Sequence, residues 1–148
     1  MEVNKLYIKK VNEKALVPKY MTEGSAAMDL CACLESDVTI APGKRFLVPT
    51  GLSVMIERGF AGMLYARSGL AAKSGITLAN CVGVIDSDYR GEILVALINL
   101  SDEDFTVTHG MRIAQMVITP VCVPEIIETD ELDETERGEG GFGSTGVK

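Results

Sequence analysis

Turn residues break this 148-residue chain into short apolar runs. The breaks recur every 8 to 12 residues or so, the spacing of a β-sandwich or barrel. The runs are LYIKKV (6–11), AAMDLCACL (26–34), FAGMLYAR (60–67), ITLANCVGVID (76–86), GEILVALINL (91–100), DFTVTHG (104–110) and MRIAQMVITPVCV (111–123). Between them, VTIAPGKRFLVPTGLSVMI (38–56) reads as three strands joined by Pro42-Gly43 and Pro49-Thr50-Gly51 turns. The total is about nine or ten short strands. SGLAAKSG (68–75) has room for a single helical turn. Strands do not alternate with long helices, which argues against a doubly wound α/β fold, and no fixed-period repeat is present. With 47% hydrophobic residues the body can bury a core.

Charge divides the chain. Residues 125–148 hold eight of the 21 acids and two of the 14 bases, a balance of −6. The first 124 residues therefore carry thirteen acids and twelve bases, a balance of −1. A β domain over 1–124 and an arm over 125–148 are expected. A neutral body argues against duplex nucleic acid as a partner, since such binding runs on clustered Lys and Arg. EIIETDELDETE (125–136) carries seven acids in twelve residues and reads as a solvated spacer, although Ile126 and Ile127 could pack. RGEGGFGSTGVK (137–148) is too rich in glycine to order itself; its Phe and Arg fit an arm that orders on a ligand. No run approaches the roughly 20 apolar residues of a membrane span. MEVNKLYIKK leads into no apolar block of a secretory signal, so a cytoplasmic location is expected. Cys31, Cys33, Cys81 and Cys122 form no C-x-x-C pair and meet a single His, which favours reduced thiols over a zinc site.

Four segments could carry chemistry. Gly138-Glu139-Gly140-Gly141-Phe142-Gly143 matches G-x-G-x-x-G literally. It lacks the preceding strand and following helix of a dinucleotide fold. What remains is a set of glycine N–H groups able to wrap phosphate oxygens, with Ser144 and Thr145 hydroxyls and the Arg137 fork beside them. Arg67-Ser68-Gly69, after a strand, suits a phosphate nest or a plain turn. Asp86 closes the apolar run of ANCVGVIDSDYRGE (79–92) as either a turn former or a functional carboxylate. Gln115, in Arg112-Ile113-Ala114-Gln115, is expected on one strand face with Ile113 and Val117, needing a partner for its amide. His109 lies in a turn and reads as surface. A general base is better sought among Asp29, Asp86 and Asp88.

Five segments in order resemble the trimeric deoxyuridine triphosphate nucleotidohydrolases (dUTPases): AAMDLCA, RSGLAAKSGI, NCVGVIDSDYRGE, RIAQMVI and RGEGGFGSTG. Ala27 and Met28 stand where that family often has Gly and Tyr. The resemblance implies an all-β, jelly-roll-like fold and a flexible Gly-rich C-terminal arm. It also implies a homotrimer with shared active sites and Mg²⁺-assisted hydrolysis of dUTP to dUMP and pyrophosphate. Such a reaction limits uracil incorporation into DNA and supplies dUMP. By the same resemblance Asp86 is the base that activates water. Asn80 and Gly83 read uracil, and Tyr89 floors the deoxyribose. Ser68, Gly69 and Gln115 contact phosphate with Arg67 in support, and Asp29 holds Mg²⁺ through water. Arg137, Phe142, Gly143, Ser144 and Thr145 belong to the arm, with Phe142 stacking on uracil. Two other readings compete: a deaminase of the related dCTP deaminase group, and a non-catalytic oligomeric binding protein.

Overall fold

A computed structural model describes residues 5–141. Among them are strands β1 (Tyr7–Lys10), β2 (Met28–Cys31), β3 (Val38–Ile40), β4 (Arg45–Pro49), β5 (Leu52–Met55) and β6 (Phe60–Tyr65). After helix α1 (Ser68–Ser74) come β7 (Ile76–Leu78), β8 (Gly83–Ile85), β9 (Leu94–Asn99), β10 (Phe105–Val107) and β11 (Arg112–Pro120). The all-β expectation holds.

The strands form four antiparallel sheets: β1-β5, β3-β10, β2-β11-β6-β8 and β4-β9-β7. Most neighbours are distant in sequence, as in a jelly-roll-like fold. One hydrophobic cluster draws on all four sheets, with Val54, Ile40, Leu30, Met116, Leu64, Val48 and Leu97 among its members. Each such side chain contributes about 1.5–3 kcal/mol when fully buried. Val and Ile recur in most strands, where branched side chains fit a pleated, half-buried surface.

Two local features differ from the sequence reading. SGLAAKS forms seven helical residues rather than one turn. Leu70, Ala71, Ala72 and Lys73 are good helix formers, and Lys73 sits in the last turn, where a cation suits the helix dipole. Gly75 ends the helix at φ 64°, its N–H donating to the Leu70 and Ala71 carbonyls. A register shift in β11 between Arg112 and Ala114 breaks the alternation there. Ile113, Ala114 and Met116 are all buried in consequence. Gln115 therefore does not share a face with Ile113. It sits outward, opposite Asp29 of β2 and Tyr65 of β6.

Beyond Pro120 the described residues form no strand or helix. The acidic stretch is exposed, as expected of a solvated spacer. Ile126 and Ile127 are 95% and 76% exposed, so neither makes the packing contact open to it. No helix among the described residues is long and apolar enough to cross a membrane.

Candidate active site

Two clefts collect the candidate residues. The first, about 570 Å³, is lined by Asp29, Arg67, Ser68, Gly69, Arg112 and Gln115, among others. β2, β11 and β6 lie side by side, so Asp29, Gln115 and Tyr65 form one row across the sheet. Arg67 follows β6 in extended backbone (φ −84°, ψ 129°) and delivers Ser68 and Gly69 into the first turn of α1. The N–H groups of that turn lack intrahelical acceptors. Gln115 is held where it lies, its Nε2 donating to the Ala66 carbonyl at 2.9 Å.

Asp29 organises the cations of this cleft. Its Oδ1 accepts from Arg67 Nε at 2.9 Å, and its Oδ2 from Arg112 at 3.1 Å. Arg67 also donates to the Arg112 carbonyl, 3.3 Å away. One carboxylate between two guanidiniums leaves the group with one net positive charge, suited to an anion. Sequence reasoning gave Arg112 no role. Its place inside RIAQ was visible, but its pairing with Asp29 depends on the β2–β11 register. Met28 points into the core and is 4% exposed, so the side chain at this position packs beneath the cleft and does not line it. Ala27 lies on the cleft wall. Burial, and next the Asp29 charge, pushes the nearby Cys31 thiol up, against the opposing pull of Arg112 and Arg67.

The second cleft, about 220 Å³, is lined by Leu64, Asn80, Gly83, Asp86, Tyr89 and Glu92, among others. β8 pairs with β6, placing Gly83 opposite Leu64. The turn before it is tight: the Cys81 N–H donates to the Leu78 carbonyl, and Cys81 itself is left-handed at φ 61°. After β8 the chain turns again. The Tyr89 N–H donates to the Asp86 carbonyl at 3.2 Å, and Arg90 donates to the Ser87 and Tyr89 carbonyls at 2.7 and 2.8 Å. Glu92 Oε1 accepts the Gly51 N–H at 2.7 Å, tying this loop to the β4–β5 turn. The hydrogen bonds among the described residues leave the Asn80 amide and the Asp86 carboxylate free for a ligand.

The structure thus groups Asp29, Arg67, Ser68, Gly69 and Gln115, and separately Asn80, Gly83, Asp86 and Tyr89. It does not bring the two groups together on one chain. Tyr65, in the first cleft, and Leu64, in the second, are consecutive on β6 and point to opposite faces. Arg137 joins neither group; its Nε donates to the Gly140 carbonyl at 2.7 Å. Phe142, Gly143, Ser144 and Thr145 lie outside the described residues. Asp88 borders an open groove beside Asp86 and Arg90. His109 is exposed, as read, and its Nδ1 accepts the Leu34 N–H at 3.2 Å.

An antiparallel β fold with a cationic cleft and a separate hairpin cleft bearing a carboxylate belongs to the class of β proteins built to hold an anionic ligand. The sequence places the chain within it more narrowly. Residues 13–146 match the dUTPase family profile, and the chain belongs to that family. It is 56% identical over 142 residues to the deoxyuridine 5'-triphosphate nucleotidohydrolase of Nautilia profundicola, covering 96% of this chain and 99% of the relative. The protein of that name from Syntrophotalea carbinolica is 48% identical over 146 residues, covering 99% of each. Among solved structures, a mutant Staphylococcus bacteriophage 80alpha dUTPase with dUpNHpp superposes with a TM-score of 0.89 at 26% identity, covering 98% of this chain and 100% of that one.

Proposed function

We propose that this protein hydrolyses dUTP to dUMP and pyrophosphate, and so limits uracil incorporation into DNA and supplies dUMP. Asp86 accepts a proton from water. The water oxygen bonds to the α-phosphorus as the bond to the α–β bridging oxygen breaks, and that oxygen leaves with pyrophosphate. Asn80 and the backbone at Gly83 read the uracil edge, and Tyr89 floors the deoxyribose. Ser68, Gly69, Gln115 and Arg67 hold phosphate oxygens. Fixed groups matched to uracil reject cytosine on the order of 10⁴-fold, because the wrong edge leaves them unpaired. The observation that carries this reading is the gathering of Asn80, Gly83, Asp86 and Tyr89 around one cleft.

In this reading Asp29 holds Mg²⁺ through water only with the substrate phosphates in place, since their negative charge offsets that of the two arginines its oxygens accept from. Mg²⁺ keeps several waters and takes few carboxylates beside substrate phosphates. When bound, it supplies neutralisation of the phosphate charge. A bacteriophage phi11 dUTPase mutant, 23% identical with a TM-score of 0.78 over 86% of this chain and 98% of that one, is described with a structural Mg(II) ion.

The active unit is a homotrimer whose sites draw on several chains. Support comes from the lining of the two clefts, which share no residue on one chain. Exposed Leu47, Leu94 and Val84 add apolar surface for such contacts. Residues 1–124 form the β domain. Residues 125–148 carry Arg137, Phe142, Gly143, Ser144 and Thr145 to the bound nucleotide, with Phe142 over uracil and the others on the γ-phosphate. The location is cytoplasmic.

The test offers purified protein, Mg²⁺ and each deoxynucleoside triphosphate separately, in ¹⁸O-labelled water. Label in dUMP, from dUTP alone, is expected. Label in pyrophosphate removes attack at the α-phosphorus, and ammonia from dCTP replaces the hydrolase with a deaminase. Mixing inactive Asp86→Asn with inactive Ser68→Ala chains regains activity if sites are shared, and regains none if each chain is self-sufficient.

A further inference from the structure

Gly91 is exposed, and its φ lies outside the left-handed region, so its backbone suits any residue. What excludes a side chain there is Tyr89. The tyrosine hydroxyl donates to the Glu92 carbonyl at 2.9 Å, so its ring lies across the backbone of residue 91. A Cβ on residue 91 would stand 2.5 Å from the ring's Cζ and 2.9 Å from its Cε2, and closer still to the hydroxyl. Carbon atoms settle near 3.5–4.0 Å, so both cannot keep their places.

We infer that Gly91 is a positioning residue: its missing side chain is what seats the Tyr89 ring against the second cleft. The inference rests on the proposed function, in which that ring floors the deoxyribose. The segment around it is fixed independently, by Arg90 on the Ser87 and Tyr89 carbonyls and by Glu92 on the Gly51 N–H. The atoms nearest the added Cβ all belong to the Tyr89 side chain, so the ring is what yields. It is 44% exposed at the end of a rotatable side chain, so a Cβ at 91 drives it outward without unfolding the loop. The cost falls on the sugar-binding surface, where a floor that has moved grips deoxyribose less well and leaves room for a 2′-hydroxyl.

Four proteins test this: the parent, Tyr89→Ala, Gly91→Ala and the double variant, assayed for kcat/KM with dUTP and with UTP. Gly91→Ala is expected to lower kcat/KM for dUTP about tenfold, equivalent to about 1.4 kcal/mol, and to narrow the dUTP-to-UTP ratio. Its melting temperature stays within about 3 °C of the parent. The double variant behaves as Tyr89→Ala alone, because the glycine acts only through the ring. A Gly91→Ala protein with parental kinetics beside an impaired Tyr89→Ala, or a double variant in which the losses multiply, overturns the inference. An unimpaired Tyr89→Ala refutes the floor itself, and the inference with it.

Discussion

Replacing Asp29 by Ala removes the one acceptor that two arginines share. Arg67 is 26% exposed and Asp29 15%, so their 2.9 Å hydrogen bond is largely shielded and belongs to the charge-assisted range of about 1.5–3 kcal/mol. Arg112 is 47% exposed, and its pair adds at most about 1 kcal/mol once solvent screening is counted. Arg67 keeps the Arg112 carbonyl, which offsets part of the loss. The expected destabilisation is therefore about 2–3 kcal/mol, or a fall in Tm of about 5–10 °C. Urea and thermal unfolding at one fixed protein concentration measure it. A cycle with Arg67→Ala should return a coupling of about 1–2 kcal/mol, since these residues touch. A Tm within about 2 °C of the parent, or fully additive losses, refutes the view that Asp29 holds the arginines in place.

Two further outcomes follow from the surroundings of individual groups. Burial pushes the Cys31 and Cys33 thiols up, whereas Cys81 and Cys122 are exposed. Brief alkylation at mildly alkaline pH, read by peptide mass, should modify Cys81 and Cys122 first, and dUMP should slow Cys81 alone because Asn80 beside it lines the base cleft; early modification of Cys33 contradicts this. The Lys14 hydrogen bond holds the Glu35 carboxyl below the usual glutamate range. A lowered folded-state value means that stability from this pair is present at neutral pH and is lost as pH falls through that value. The stability gap between parent and Lys14→Met should therefore close in acid; a gap that widens there has the wrong sign.

Much of this molecule is legible in its sequence because turns and alternation are local. Pro42-Gly43 and the Pro49-Thr50-Gly51 corner separate β3, β4 and β5 where expected. The resemblance carries Asn80, Gly83, Asp86 and Tyr89 together because one hairpin and its following turn hold all four. What escapes is set by contacts between distant strands. The shift in β11 moves Ile113 away from the face of Gln115, and no local rule marks that shift. Arg112 reaches Asp29 across 83 residues of sequence. The helix after Arg67 is longer than its spacing predicts, because Gly75 and a run of helix formers set its end.

The central claim is that the Asp86 carboxylate takes the proton of the attacking water. It is tested most directly by single-turnover hydrolysis of dUTP by Asp86→Asn, with dUTP binding followed in parallel. Loss of general-base assistance should slow the chemical step by at least about 10²-fold with binding retained. Hydrolysis at the parental rate in a protein that still binds dUTP would contradict it.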